Sequence, residues 1–166
     1  IGHRTEEFRD LYRRVSSKLK SLTETRERVF LFTCSSTGIW EAAIRNCVKD
    51  RVLCCMQGAF SDRWLKVAVS NGKVATPLKV EWGRAVTAEL VDAALSAGGF
   101  DAVTVVHNET STGVMNHLGE IAEVVRRHPG VSFLVDAVSS MAGTRIPVDE
   151  WGIDVCLAGT QKAFAL

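Results

Sequence analysis

The sequence has no excess of charge: its 166 residues sum to a formal net charge of +1. That removes the electrostatic case for a nucleic acid or an anionic membrane surface as partner. It has no run of 18 apolar residues, so no segment reads as a membrane span. The opening IGHRTEEFRD is charged within four residues and does not read as a signal peptide, so the expected compartment is the cytoplasm, with organelle targeting left open. The cysteines Cys34, Cys47, Cys54, Cys55 and Cys156 are odd in number and form no C-x-x-C pair. They read as reduced, packed thiols, and no metal site is expected. No G-x-G-x-x-G follows a strand and no G-x-x-x-x-G-K-[ST] occurs, which weakens dinucleotide and P-loop readings. Linkers, repeats and low-complexity stretches are also missing, as expected of one domain.

What is there is alternation. Phe8, Leu11, Val15, Leu19 and Leu22 fall at helical spacing and predict a helix over 6–22. That helix is expected to bury its apolar stripe against the sheet or a neighbour. RVFLFTC at 28–34 predicts a first strand. Helices are then expected at 38–48, 60–72, 87–99 and 118–130, with strands at 51–58, 101–109, 131–140 and 153–160 and an extended piece at 73–83. Strands without an outward polar face, separated by helices, predict an α/β fold with a mostly parallel, doubly wound sheet covered on both sides. Such sheets bind ligands outside the carboxyl ends of their strands.

The segments after the strands are CSSTG (34–38), QGAF (57–60), HNETSTG (107–113), DAVSS (136–140) and GTQK (159–162). Ser35, Ser36 and Thr37 open a helix, which makes either a plain N-cap or an anion site. Asp136 ends the apolar strand SFLVD, where a carboxylate needs a cation or strong donors. Lys162 also follows an apolar strand, and a desolvated lysine is a nucleophile toward carbonyls. Taken singly, these residues also allow an Asp136–Lys162 ion pair or a solvated Lys162. Together they fit a ligand with a phosphate, an aldehyde and a protonated ring nitrogen, as in pyridoxal 5′-phosphate.

In their order, SSTGIWEAA, GAFSDRW, HNETSTGV and VDAVSSMAGTRIPVDEWGIDVCLAGTQKAF resemble the large domain of class V pyridoxal-phosphate aminotransferases. The subgroup they resemble most is that of alanine–glyoxylate and serine–pyruvate or serine–glyoxylate aminotransferases. The likeness covers nearly the whole chain. It implies a fold-type I domain in which Lys162 carries the cofactor as a Schiff base and Asp136 pairs with the pyridinium nitrogen. It implies that Ser36 and Thr37, flanked by Ser35, hold the phosphate and that Gln161 reaches it. Phe60 is implied to stack on one ring face, Val138 to pack on the other and Thr110 to lie near the ring hydroxyl; by themselves Phe60 and Val138 read as core residues. The implied activity moves an amino group from alanine or serine to glyoxylate or pyruvate, in a homodimer. Cysteine desulfurases and lyases of the same class usually have a histidine after the aspartate and GHK at the anchor, where this chain has DAVSS and TQK. Family members also have an N-terminal segment and a C-terminal domain with a carboxylate-binding arginine. By that comparison residues 1–166 are expected to be an incomplete large domain, and a cofactor-binding domain without turnover is the third reading.

Overall fold

The structure, a computed structural model, describes residues 1–165. In chain order the elements are α1 (Glu6–Leu22), α2 (Ser36–Cys47), β1 (Arg51–Met56), α3 (Ala59–Ser70), β2 (Val74–Lys79), α4 (Ala88–Ser96) and β3 (Ala102–Val106). There follow β4 (Asn108–Glu109), β5 (Val114–Met115), α5 (Leu118–Val125), β6 (Ser132–Asp136), α6 (Val148–Trp151) and β7 (Val155–Leu157). Five strands form one sheet in the order β2-β1-β3-β6-β7, every pairing parallel. β4 and β5 form a small antiparallel hairpin beside it.

The central strands are apolar throughout because both faces of the sheet are covered. Leu53, Val103, Val105, Phe133 and Val135 point to one face, where Val91 and Leu95 of α4, Ile121 and Val125 of α5 and Val148 of α6 cover them. Val52, Cys54, Ala102 and Leu134 alternate to the other face, under Ala43 and Ile44 of α2 and Trp64 and Ala68 of α3. The expected doubly wound sheet is therefore observed. Pro77, which has no N–H to donate, sits in the edge strand β2.

Two expectations change. Residues 28–34 form no strand: Phe30, Leu31 and Phe32 are 66%, 47% and 58% exposed and pair with no strand of the described residues. Apolar β-formers make a strand only where a pleated, half-buried surface receives them. The sheet therefore begins at Arg51, and α2 is entered from an extended segment. Second, α1 forms with the expected bounds but buries no side chain fully. Leu11 and Leu22 are exposed, while Phe8, Val15 and Leu19 are half-buried. The segment after α1 is tied to the α6 region by polar bonds, from Thr25 and the Arg26 N–H to Asp149 and from Arg145 to Glu24. The sequence reading also missed α6 and the hairpin partner β5, each four residues or fewer.

Candidate active site

The order of the sheet reverses between β1 and β3: β2 lies to one side of β1, and β3, β6 and β7 follow on the other. The carboxyl ends of β1 and β3 diverge at such a point and leave a crevice. Phe60 follows β1 there, Thr110 follows β3, and Asp136 ends the adjacent β6.

Asp136 is 3% exposed. One carboxylate oxygen accepts the Trp40 indole N–H at 2.8 Å and the other the Val138 backbone N–H at 2.8 Å. Burial raises its pKa to about 6, against the pull of the Val138 and Trp40 donors, and the charge of Glu109 adds to the rise. No ion pair among the described residues includes Asp136. A buried carboxylate held by neutral donors alone is suited to a cationic N–H from outside the chain, which is what a pyridinium ring offers. Beside it, the His107 backbone N–H donates to the Asp136 carbonyl at 2.8 Å. Burial, with a smaller effect of His117, lowers the His107 pKa to about 4, and its Nδ1 lies 2.9 Å from the Ser140 hydroxyl.

Two helices start on this rim, and they differ. The start of α3 is filled by the chain's own anion. Glu109, fully buried, accepts the backbone N–H groups of Phe60 at 3.3 Å, Ser61 at 3.1 Å and Ser111 at 3.2 Å, and the Ser111 hydroxyl at 2.7 Å. Burial pushes the Glu109 pKa up, but the Ser111 hydroxyl and the backbone donors outweigh it and hold the carboxyl below the ordinary range. The backbone of Gly58 makes room for this cap, since a Cβ there would stand 2.5 Å from the Glu109 Cγ. The start of α2 has no such cap. The Ser35 side chain makes no capping bond, and Ser36 and Thr37 are only half-buried. The α2 start therefore keeps free N–H donors and the positive end of the helix dipole, which could hold an anion.

The remaining expected residues are distributed as follows. Phe60, in the first turn of α3, and Val138 are half-buried against the same apolar cluster, which also holds Trp40 and Trp64. The Arg63 guanidinium lies 5.5 Å from the centre of the Phe60 ring. Thr110 is exposed, and its hydroxyl bonds the Ser139 hydroxyl. Lys162 lies five residues beyond Leu157, the register partner of Asp136. It is exposed and makes no ion pair with Asp136. The expected burial of the Lys162 side chain is not observed: β7 ends at Leu157, and Lys162 lies in the following turn, closed by the Ala165 N–H on the Lys162 carbonyl at 2.9 Å, while Phe164 of the same turn packs on the core. Gln161 is exposed and folds over Gly159, where a Cβ would meet its Oε1 at 2.5 Å. The structure thus packs Val138 and Phe60 against one apolar cluster, whose Trp40 bonds Asp136, and among the described residues gives Lys162 and Gln161 no bond to the α2 start. Trp40, Glu109 and Ser139 were missed by sequence reading. Of these only Glu109, a charged residue at an apolar strand's end followed by hydroxyl residues, carried a visible signal.

One rim of a doubly wound parallel sheet thus carries an uncapped helix start and a buried carboxylate that pairs with no cation among the described residues. The chain belongs to the Aminotransferase class-V family, whose sequence signature matches residues 1–166. It is 40% identical to an uncharacterized aminotransferase of Methanocaldococcus jannaschii, over 99% of this chain and 43% of that protein. It is 36% identical over its full length to the L-aspartate–glyoxylate aminotransferase of Paracoccus denitrificans, covering 44% of that enzyme. The same identity and coverage hold for a Synechococcus protein named as the small subunit of a soluble hydrogenase. Among solved structures, an alanine–glyoxylate aminotransferase from Nostoc superposes with a TM-score of 0.91 at 30% identity, over 97% of this chain and 43% of that one. The chain spans less than half the length of these relatives. Class-V aminotransferases generally use pyridoxal phosphate. No helix among the described residues is long and apolar enough to cross a membrane.

Proposed function

We propose that the chain is the cofactor-binding large domain of a pyridoxal-phosphate-dependent aminotransferase. It would move the amino group of a small amino acid, alanine or serine, to a 2-oxo acid such as glyoxylate or pyruvate. The observation that carries the reading is Asp136: a buried carboxylate at the carboxyl end of the sheet, bonded to two neutral donors and to no cation among the described residues. The names of the Paracoccus and Nostoc relatives support glyoxylate as an acceptor.

Pyridoxal phosphate, when bound, supplies an electron-accepting ring. The chain's residues then divide the work. Asp136 holds the proton on the ring nitrogen. Ser35, Ser36 and Thr37 at the start of α2, with Gln161, hold the phosphate. Phe60 and Val138 bound the two ring faces, and Thr110 stands beside the ring hydroxyl. Lys162 would hold the aldehyde carbon through its amine, with loss of water, and would serve as the base at the substrate's α-carbon once the incoming amino group has taken its place. Family likeness also supports a homodimer. The test is borohydride reduction of the protein loaded with pyridoxal phosphate, followed by peptide mapping, and an assay of alanine and serine against glyoxylate and pyruvate. The expected label is on Lys162, with Lys162→Ala losing label and transamination together. A label on Lys66, Lys73 or Lys79 would overturn the assignment.

A further inference from the structure

We propose that Trp40 is a positioning residue whose indole N–H ties Asp136 to α2, so that one helix fixes both the phosphate-holding turn and the carboxylate that faces the ring nitrogen. The ring-nitrogen part rests on the function proposed above; the tie itself does not. Ser36 and Trp40 are four residues apart on α2, hence on one face and about 6 Å apart along the axis. Trp40 is 2% exposed, and its N–H reaches Asp136 at 2.8 Å across 96 residues of sequence. The ring cannot swing away, because Trp64 of α3 stacks on it with centroids 5.9 Å apart and planes 17° from parallel. The buried indole N–H of Trp64 has no partner among the described residues. Two stacked indoles thus share one environment, and only one is bonded to the carboxylate.

The ionisable groups around Asp136 are few. Glu109 faces it from β4, and Cys156 from β7, a thiol raised to about 12 by burial and then by the Asp136 charge. His107, at the end of β3, is held neutral. None of them supplies a positive charge, so the Trp40 N–H and the Val138 N–H are what favour the ionised form. Removing the indole N–H alone should make Asp136 harder to ionise and leave the α2 start intact.

The test compares Trp40→Phe and Trp64→Phe with the parent chain, without cofactor, by carbon-13 titration of the Asp136 carboxyl. Trp40→Phe is expected to raise the midpoint by about one pH unit, and Trp64→Phe to leave it in place. Pyridoxal, which lacks the phosphate, should bind Trp40→Phe about tenfold more weakly, while inorganic phosphate binds it as it binds the parent. An unchanged midpoint in Trp40→Phe overturns the tie, and so do equal shifts in both variants, which would assign the effect to the stack. The parent chain offers a check that needs no variant: the Trp40 indole N–H resonance should follow the Asp136 midpoint and that of Trp64 should not. A Trp40 resonance indifferent to that titration overturns the tie. A parent that shows the shift but binds no pyridoxal phosphate refutes the proposed function and upholds the tie.

Discussion

At the scale of single residues, Asp136 makes the fold less stable at neutral pH than it is in acid. Its pKa is raised to about 6 by burial. Between the ordinary carboxylate value and that value the folded chain binds the proton more tightly than the unfolded chain does. Stability therefore falls as pH rises from about 4 to 6, and the loss is complete above 6. Asp136→Asn should remove that pH dependence, at a cost at both pH values because its amide NH2 must face one of the two N–H donors that meet the carboxylate, measured as the difference in urea unfolding between pH 4 and pH 7. The same variant should bind pyridoxal phosphate at least tenfold more weakly, measured by equilibrium titration. Asp136 itself was legible in the sequence, because a lone carboxylate ending an apolar strand is conspicuous. Its partner Trp40 was not. A tryptophan within an apolar helix reads as core, and nothing local connects it to a residue 96 positions away.

At the scale of elements, the start of α3 is held by a carboxylate from another part of the chain. Glu109→Ala removes the acceptor of three backbone N–H groups at once. It should lower stability by about 3 kcal/mol, measured by chemical denaturation. The Glu109 pKa is depressed, so its contribution is present above the ordinary carboxylate value and is lost as pH falls through the depressed one. Glu109→Gln should accordingly flatten the acid limb of the stability curve. Gly58→Ala should shift the melting temperature downward, since the added Cβ meets the Glu109 side chain. The element pattern was legible wherever burial is two-sided, as in β1, β3 and β6, because an uninterrupted apolar run then has one reading. It failed at 28–34, where the same composition meets no neighbouring strand.

At the scale of the whole molecule, stability is concentrated in the middle of the sheet. Phe133, 1% exposed in β6, packs between the sheet and its covering helices. Phe133→Ala should cost about 3–5 kcal/mol, read from denaturant unfolding. Backbone amides of β3 and β6 should exchange with solvent only on global opening, while those of α1, which buries no side chain fully, should exchange orders of magnitude faster. Hydrogen-exchange mass spectrometry separates the two. The order of the sheet has a further consequence for synthesis. Once β1 and β2 have paired, β3 joins the free edge of β1, and β6 and β7 each join the edge left by the sheet strand before, in the order in which they leave the ribosome. Among the described residues no strand has to insert between two already placed. The growing chain can extend its sheet outward one strand at a time, and each edge waits only for the next segment to be translated.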